Sequence, residues 1–288
     1  ARATGAMCCT GSRARPWKSA LFACAEPRPD IGRRQERFHD GFELGGLLGA
    51  GTFGAVYAGR SRESRDVEVA VKIVDLHRSG RDVDSDLRWT MENEVRALKA
   101  IPPSEFVVGF VDHFLENGVS YIVLELCEIP LWHALDRMPM VTEACMQAVL
   151  KDMVTSLVAC HGACVVHRDV SARNFIAAPA PCTALGLRIK LCDFGLASTV
   201  SSPTSSDLVG IFGTAQYMSP EMLSLQRYGA KVDVWALGVL GYVLLFGTWP
   251  YAPRTWTPTE FKETIVAGIE LPSFESAPGM PSVSERAA

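Results

Sequence analysis

The sequence has 288 residues, 48% hydrophobic and 21% charged, the balance of a globular protein with a sizeable core. A net charge of −4 lends no support to nucleic-acid binding. The nine cysteines are scattered, several in apolar contexts such as Ile189-Lys190-Leu191-Cys192; an odd count argues against a disulfide framework and suits reduced thiols in a cytoplasmic setting.

Residues 1–40 mix Arg, Ala, Pro and Gly without an apolar h-region, so no signal peptide is visible. An Arg-rich, acid-poor start is also what part of a transit peptide would show. The simpler expectation is a disordered leader. From Gly41 to Glu125 the chain reads as a β-rich unit. Phe42 to Leu48 is a predicted strand entering Gly49-Ala50-Gly51-Thr52-Phe53-Gly54, and Ala55 to Gly59 leaves it as a second strand. A lone G-x-G-x-x-G also suits a dinucleotide fold, in which the third glycine opens a helix. Here Val56, Tyr57 and Gly59 disfavour a helix, so a loop joining two strands is expected. Its glycines would let backbone N–H groups approach anionic oxygens, with Phe53 at the tip shielding the site from water.

Val67 to Val74 is the next predicted strand, with Lys72 near its end. A Lys pointing inward from such a strand needs a partner. Met91 to Ile101 has helical spacing, with Val95, Leu98 and Ile101 on the inner face and Pro102-Pro103 as the stop. Glu94 lies beside that face and is the first choice as partner for Lys72; Glu92 is the alternative. Two further strands, 106–114 and 119–126, are joined at Glu116-Asn117-Gly118.

After Pro130 the period becomes helical, and Glu143 to His161 reads as a long amphipathic helix. Cys160, His161, Cys164 and His167 cluster at near-ligand spacing, but structural zinc sites usually pair one such knuckle with a second, and none follows. Val166-His167-Arg168-Asp169-Val170-Ser171-Ala172-Arg173-Asn174 comes next. An Asp there can accept a proton from an incoming hydroxyl, and an Asn five positions on can hold a metal across the transferred group. A Pro/Ala loop over 177–186 and a strand over 188–192 deliver Asp193-Phe194-Gly195. Residues 197–211 are polar and rich in Ser and Thr, and no Lys or Arg occurs between Cys192 and Gln226. The uncharged stretch from Val234 to Pro253 has the length of a membrane helix. Asp233 before it and Gly238, Gly241 and Gly247 within it favour a buried core helix.

The Gly-rich turn, Val69-Ala70-Val71-Lys72, the His-Arg-Asp to Asn174 stretch, Asp193-Phe194-Gly195 and Gly213 to Glu221, in this order, resemble the eukaryotic-type protein kinase family. The resemblance implies an α+β fold of two lobes. The small β-rich lobe would occupy 41–125 and the larger, mainly helical lobe 126–275. Residues 276–288 read as the start of a further, truncated helix, with the chain a fragment at both ends.

By resemblance, ATP and Mg²⁺ would lie between the lobes. Gly49, Gly51, Phe53 and Gly54 would cover the phosphates. Val56, Ala70, Leu124, Glu125, Cys127 and Ile176 would surround the adenine, with side chains at Glu125 and Cys127 carrying little information. Lys72, paired with Glu94, would bind the α- and β-phosphates. Asp169 would be the catalytic base, and Asn174 and Asp193 the metal ligands. Asp233 would brace the catalytic loop, and His167 would bond backbone near Asp193. Arg168, helped by Arg88, would grip a phosphate on the 197–211 loop.

Two departures stand out. The Ser/Thr branch usually has Lys where Ser171 stands, and Arg173 instead matches the tyrosine-kinase arrangement; it is read as the γ-phosphoryl clamp. Gly213-Thr214 and Tyr217 look like the Ser/Thr branch, which is favoured because the docking loop contacts the acceptor. Glu221 would normally pair with an Arg far downstream. The expected partners are a protein substrate and ATP, without nucleic acid or membrane. The expected activity is Ser/Thr phosphorylation, with a dual-specificity enzyme or a non-catalytic nucleotide-binding scaffold as the alternatives.

Overall fold

A computed structural model describes residues 37–51, 54–77, 84–127, 129–138, 141–183, 185–251, 253–268 and 272–275. A short helix, α1 (Phe38–Gly41), leads into β1 (Phe42–Gly51), β2 (Gly54–Ser61) and β3 (Glu68–Asp75). After α2 (Ser85–Ala100) come β4 (Phe110–Glu116) and β5 (Val119–Glu125). The five strands form one antiparallel sheet in the order β1-β2-β3-β5-β4.

Strand periodicity explains how this sheet serves two cores at once. Val69 and Val71 of β3 and Val123 of β5 face outward onto Phe38, Phe42 and Phe114. Ala70, Val74, Ile122 and Leu124 face the other way, into the main core shared with α2 and the larger lobe. Lys72, between Val71 and Ile73, shares the inner face.

The packed chain starts earlier than the expected boundary at Gly41. Phe38 is fully buried, stacked on the Tyr121 ring at 4.5 Å and the Phe42 ring at 5.7 Å. Burying such a ring contributes roughly 2–3 kcal/mol, which is why the last residues assigned to the leader are ordered. The Gly-rich connection is also tighter than expected. Strand pairing runs through Gly49↔Val56 to Gly51↔Gly54, so these glycines lie in the strands themselves. Phe53 lies outside the described residues.

Helix α2 begins at Ser85, six residues before the predicted start, because Asp84 caps it by accepting from the Asp86 and Leu87 N–H groups.

The larger part contains α3 (Leu131–Asp136), α4 (Glu143–Gly162), α5 (Pro220–Leu223), α6 (Lys231–Phe246) and α7 (Pro258–Ala267). Beside them, β6 (Ile129–Pro130), β8 (Phe175–Pro179) and β9 (Leu187–Leu191) form one small sheet, and β7 (Val165–Val166) pairs with β10 (Ser198–Thr199). The β8–β9 hairpin takes in part of the expected 177–186 loop. Helix α6 starts before Asp233 and takes in the apolar stretch as far as Phe246: Ala236, Leu237, Leu240 and Leu244 are buried in the main core. Gly247, in the left-handed region at φ 70°, ends it. Among the described residues no helix is long and apolar enough to cross a membrane.

Candidate active site

The site lies where the sheet's inner face meets β8, β9 and the connections following them. Lys72 Nζ bonds Glu94 Oε1 at 2.9 Å and Oε2 at 2.7 Å, and Asp193 Oδ1 at 2.7 Å. Lys72 and Glu94 are buried, at 8% and 2% exposure. Burial opposes the Lys72 charge, yet the carboxylates of Glu94 and Asp193 outweigh it and hold the ammonium above its ordinary range. Burial likewise acts to raise the Asp193 carboxyl, but the adjacent ammonium wins and holds it below the usual carboxylate range. Burial pushes the Glu94 carboxyl up, opposed by Lys72. Glu92 lies elsewhere on the helix and pairs with Arg88 in an exposed i,i+4 contact of 2.8 Å. Arg88 is therefore engaged there and does not join Arg168.

A second cluster surrounds Asp169, which is 7% exposed. Its Oδ1 accepts from the Thr214 hydroxyl at 2.7 Å. Its Oδ2 accepts from Asn174 Nδ2 at 2.9 Å and Arg173 Nη2 at 3.1 Å. The Asn174 amide also donates to the Asp169 carbonyl at 2.7 Å, and Arg173 Nη2 donates to the Thr214 hydroxyl at 2.7 Å. Ser171 is buried at 2% exposure, and its hydroxyl has no hydrogen-bond partner among the described residues. The exposed cation of this loop is Arg173.

Asp233, at the start of α6, holds the loop from beneath. Its carboxylate accepts from the backbone N–H groups of His167 and Arg168, both at 2.8 Å, and lies 2.9 Å from His161 Nε2. A carboxylate at 1% exposure needs such partners. With that support, Arg168 keeps a positive φ of 66°, and Asp193 has one of 60°, both in a sparsely populated region for non-glycine residues. His167 Nε2 lies 3.0 Å from the Cys192 carbonyl. Gly213, at φ 100°, sits against the same loop; a Cβ there would lie 2.3 Å from the Arg168 carbonyl oxygen.

Val56, Ala70, Leu124 and Ile176 pack around the main core where the lobes meet. Cys127 is half-buried, and burial, aided by Glu125, pushes its thiol up to about 12. The Glu125 side chain is more informative than the sequence suggested. It pairs with Lys190 of β9 at 2.7 Å and accepts from the Gly109 N–H at 3.0 Å. Sequence reasoning assigned Lys190 no role, since a single Lys inside a strand carries no motif. It likewise missed the bond from Thr214 to Asp169, although the Gly213-Thr214 pair was its signal.

This arrangement supplies a buried cation on an anionic relay, a carboxylate beside an exposed guanidinium, and two hard oxygen ligands. The Asn174 amide nitrogen is engaged by Asp169, so its oxygen is the atom that could meet a metal; the Asp193 side chain is 43% exposed and within reach of solvent. Carboxylate and amide oxygens fit Mg²⁺.

Residues 42–287 match the family described as protein kinase domain. CDPK-related kinase 1 of Arabidopsis thaliana is 31% identical over 256 residues, covering 88% of this chain and 42% of that protein. A CDPK-related protein kinase of Daucus carota is also 31% identical, over 88% of this chain and 40% of its own length. Calcium-dependent protein kinase 20 of Oryza sativa subsp. japonica is 33% identical over 220 residues, 76% of this chain and 38% of that protein. The chain thus spans about two fifths of the length of these relatives.

Proposed function

The chain belongs to the protein kinase family, and from that premise we propose that it transfers the γ-phosphoryl group of ATP to Ser and Thr hydroxyls of protein substrates in the cytoplasm. The small lobe runs from Phe38, which packs on its sheet, to Glu125, and 126–275 form the large one. Support comes above all from Lys72, whose ammonium binds Glu94 and Asp193 at once. That geometry sets a fixed positive charge beside a metal ligand, where phosphate oxygens need both.

Asp169 orients the acceptor hydroxyl and takes its proton as the oxygen bonds to the γ-phosphorus and the bond to ADP breaks. Arg173, 66% exposed in its side chain, turns from Asp169 and Thr214 toward the γ-phosphoryl oxygens. Lys72 holds the α- and β-phosphates. Mg²⁺, held by Asp193 and Asn174, supplies charge neutralisation at the phosphates when bound. Gly49, Gly51 and Gly54 cover the phosphates, and Val56, Ala70, Leu124, Ile176 and the backbone of Glu125 and Cys127 take the adenine.

The test is phosphate transfer from labelled ATP to a mixed protein substrate, followed by phosphoamino-acid analysis, with Asp169→Asn as control. Label on Ser or Thr that vanishes in the control supports the reading. Label on Tyr as well makes the enzyme dual-specific, and nucleotide binding without label makes the chain a scaffold.

A further inference from the structure

Arg168 is the residue from which a regulatory phosphate on the 197–211 loop was expected to draw its grip. In the folded protein that grip is already taken. The Arg168 side chain donates through Nε to the Leu196 carbonyl at 2.6 Å and through Nη2 to the Ala197 carbonyl at 3.4 Å. Its guanidinium carbon lies 4.1 Å from the centre of the Phe212 ring and 5.9 Å from that of Trp89. The two rings stack on each other at 6.2 Å and 23°. Arg168 is 6% exposed and enters no ion pair among the described residues. The faces of the rings supply the negative potential that a buried guanidinium otherwise draws from an anion.

Each member of the stack shares a segment with a residue of the site. Trp89 shares α2 with Glu94. Arg168 precedes Asp169, and Phe212 stands two residues before Thr214, which bonds Asp169. Three of the loop's serines are tied locally: Ser201 donates to Asp207, and Ser201 and Ser202 each bond Ser205. Gly210, at φ 110°, makes room for the Phe212 ring, because a Cβ there would lie 2.7 Å from Cε2 of that ring.

We propose that Trp89 and Phe212 are positioning residues forming an aromatic cap on Arg168, and that this cap, in place of a loop phosphate, couples the helix carrying Glu94 to the catalytic loop. The inference rests on the kinase reading of Asp169 and Glu94. The cap itself is a physical contact that can be tested without activity. Mechanically, the rings hold α2 and the 197–214 segment on one cation, so loosening one loosens the other.

The test compares wild-type protein with Phe212→Leu, Phe212→Tyr and Trp89→Leu, reading amide hydrogen exchange across 85–100 and 196–214 alongside steady-state kinetics. Trp89 is 44% exposed, so its replacement leaves the core in place. In Phe212→Leu and Trp89→Leu, exchange should rise in both segments together, and kcat should fall on the order of tenfold while KM for ATP changes by less than about twofold. Phe212→Tyr, which keeps the ring face, should restore both. Phosphatase treatment of the wild type should change neither. Exchange in α2 unaltered by Phe212→Leu would overturn the cap, as would loss of loop protection on phosphatase treatment. A wild type that transfers no phosphate would overturn the functional reading alone, since the exchange comparison still decides the cap.

Discussion

Thr214 donates its hydroxyl to Asp169 Oδ1 at 2.7 Å, across 45 residues of sequence, and accepts from Arg173 Nη2 at the same distance. One hydroxyl therefore ties the 213–221 segment to both the carboxylate and the guanidinium of the 167–174 loop. Thr214→Val should lower kcat by roughly tenfold to a hundredfold with little change in KM for ATP, and Thr214→Ser should retain most activity. Arg173→Ala should also lose activity. Full activity in that variant would remove Arg173 from the phosphoryl clamp.

Removing Lys72 would strand a Glu94 carboxylate that is 2% exposed. Lys72→Met should destabilise the fold by about 3 kcal/mol, the usual consequence of breaking one side of a buried pair. Adding Glu94→Gln should recover part of that loss, because position 94 then carries no buried charge, and the Asp193 carboxylate left behind is 43% exposed and reaches solvent. Urea unfolding of the two variants tests this; a double variant less stable than the single one would contradict it.

The charges of this cluster also set a pH window. The Asp193 carboxyl is held low in the folded protein, so its contribution is present above the unfolded value of about 3.9 and lost as pH falls through the lower folded value. Lys72 is held high, so its contribution is present below about 10.4 and lost as pH rises beyond it. Glu94 is held high and is coupled to Asp193, so its own titration is removed by making the comparison in a Glu94→Gln background. There the stability difference made by Asp193→Asn should be present at neutral pH and shrink below about pH 4. The same difference at about pH 3 and pH 7 would show that Lys72 does not hold this carboxyl low.

Lys190 ties the end of β5 to β9 through Glu125, at 2.7 Å. The Glu125 side chain is 33% exposed, so solvent screens part of the contact. Lys190→Met should let the connection between the lobes shift, raising KM for ATP by about fivefold with a smaller effect on kcat. An unchanged KM would make the pair a purely structural contact.

Thiol reactivity should follow the surroundings of each cysteine. A hydrogen bond from the Thr142 hydroxyl, joined by one from its backbone, lowers the Cys145 thiol. Burial pushes Cys127 up to about 12 and Cys192 well above its ordinary value. Iodoacetamide near neutral pH should modify Cys145 and the exposed Cys182 before Cys127 or Cys192. Peptide mapping reads the order directly.

What the sequence determined by itself is the two-lobed family fold and the identity of its motifs. Short-range chemistry carries these: strand alternation around Lys72, helical spacing around Glu94, and the five-position spacing from Asp169 to Asn174. Helix ends and strand lengths were less secure. A single cap at Asp84 starts α2 six residues before its periodic core, and pairing through Gly49 and Gly51 carries β1 into the turn. Only the tertiary structure decided the rest. Phe38 joins the sheet because Phe42, Phe114 and Tyr121 surround it; Lys190 finds Glu125 65 residues away; and Trp89, Phe212 and Arg168 meet from three separate segments. Such contacts leave no periodic trace, since each residue's spacing along the chain is set by its own element. Packing and desolvation choose its partner only when distant elements come together.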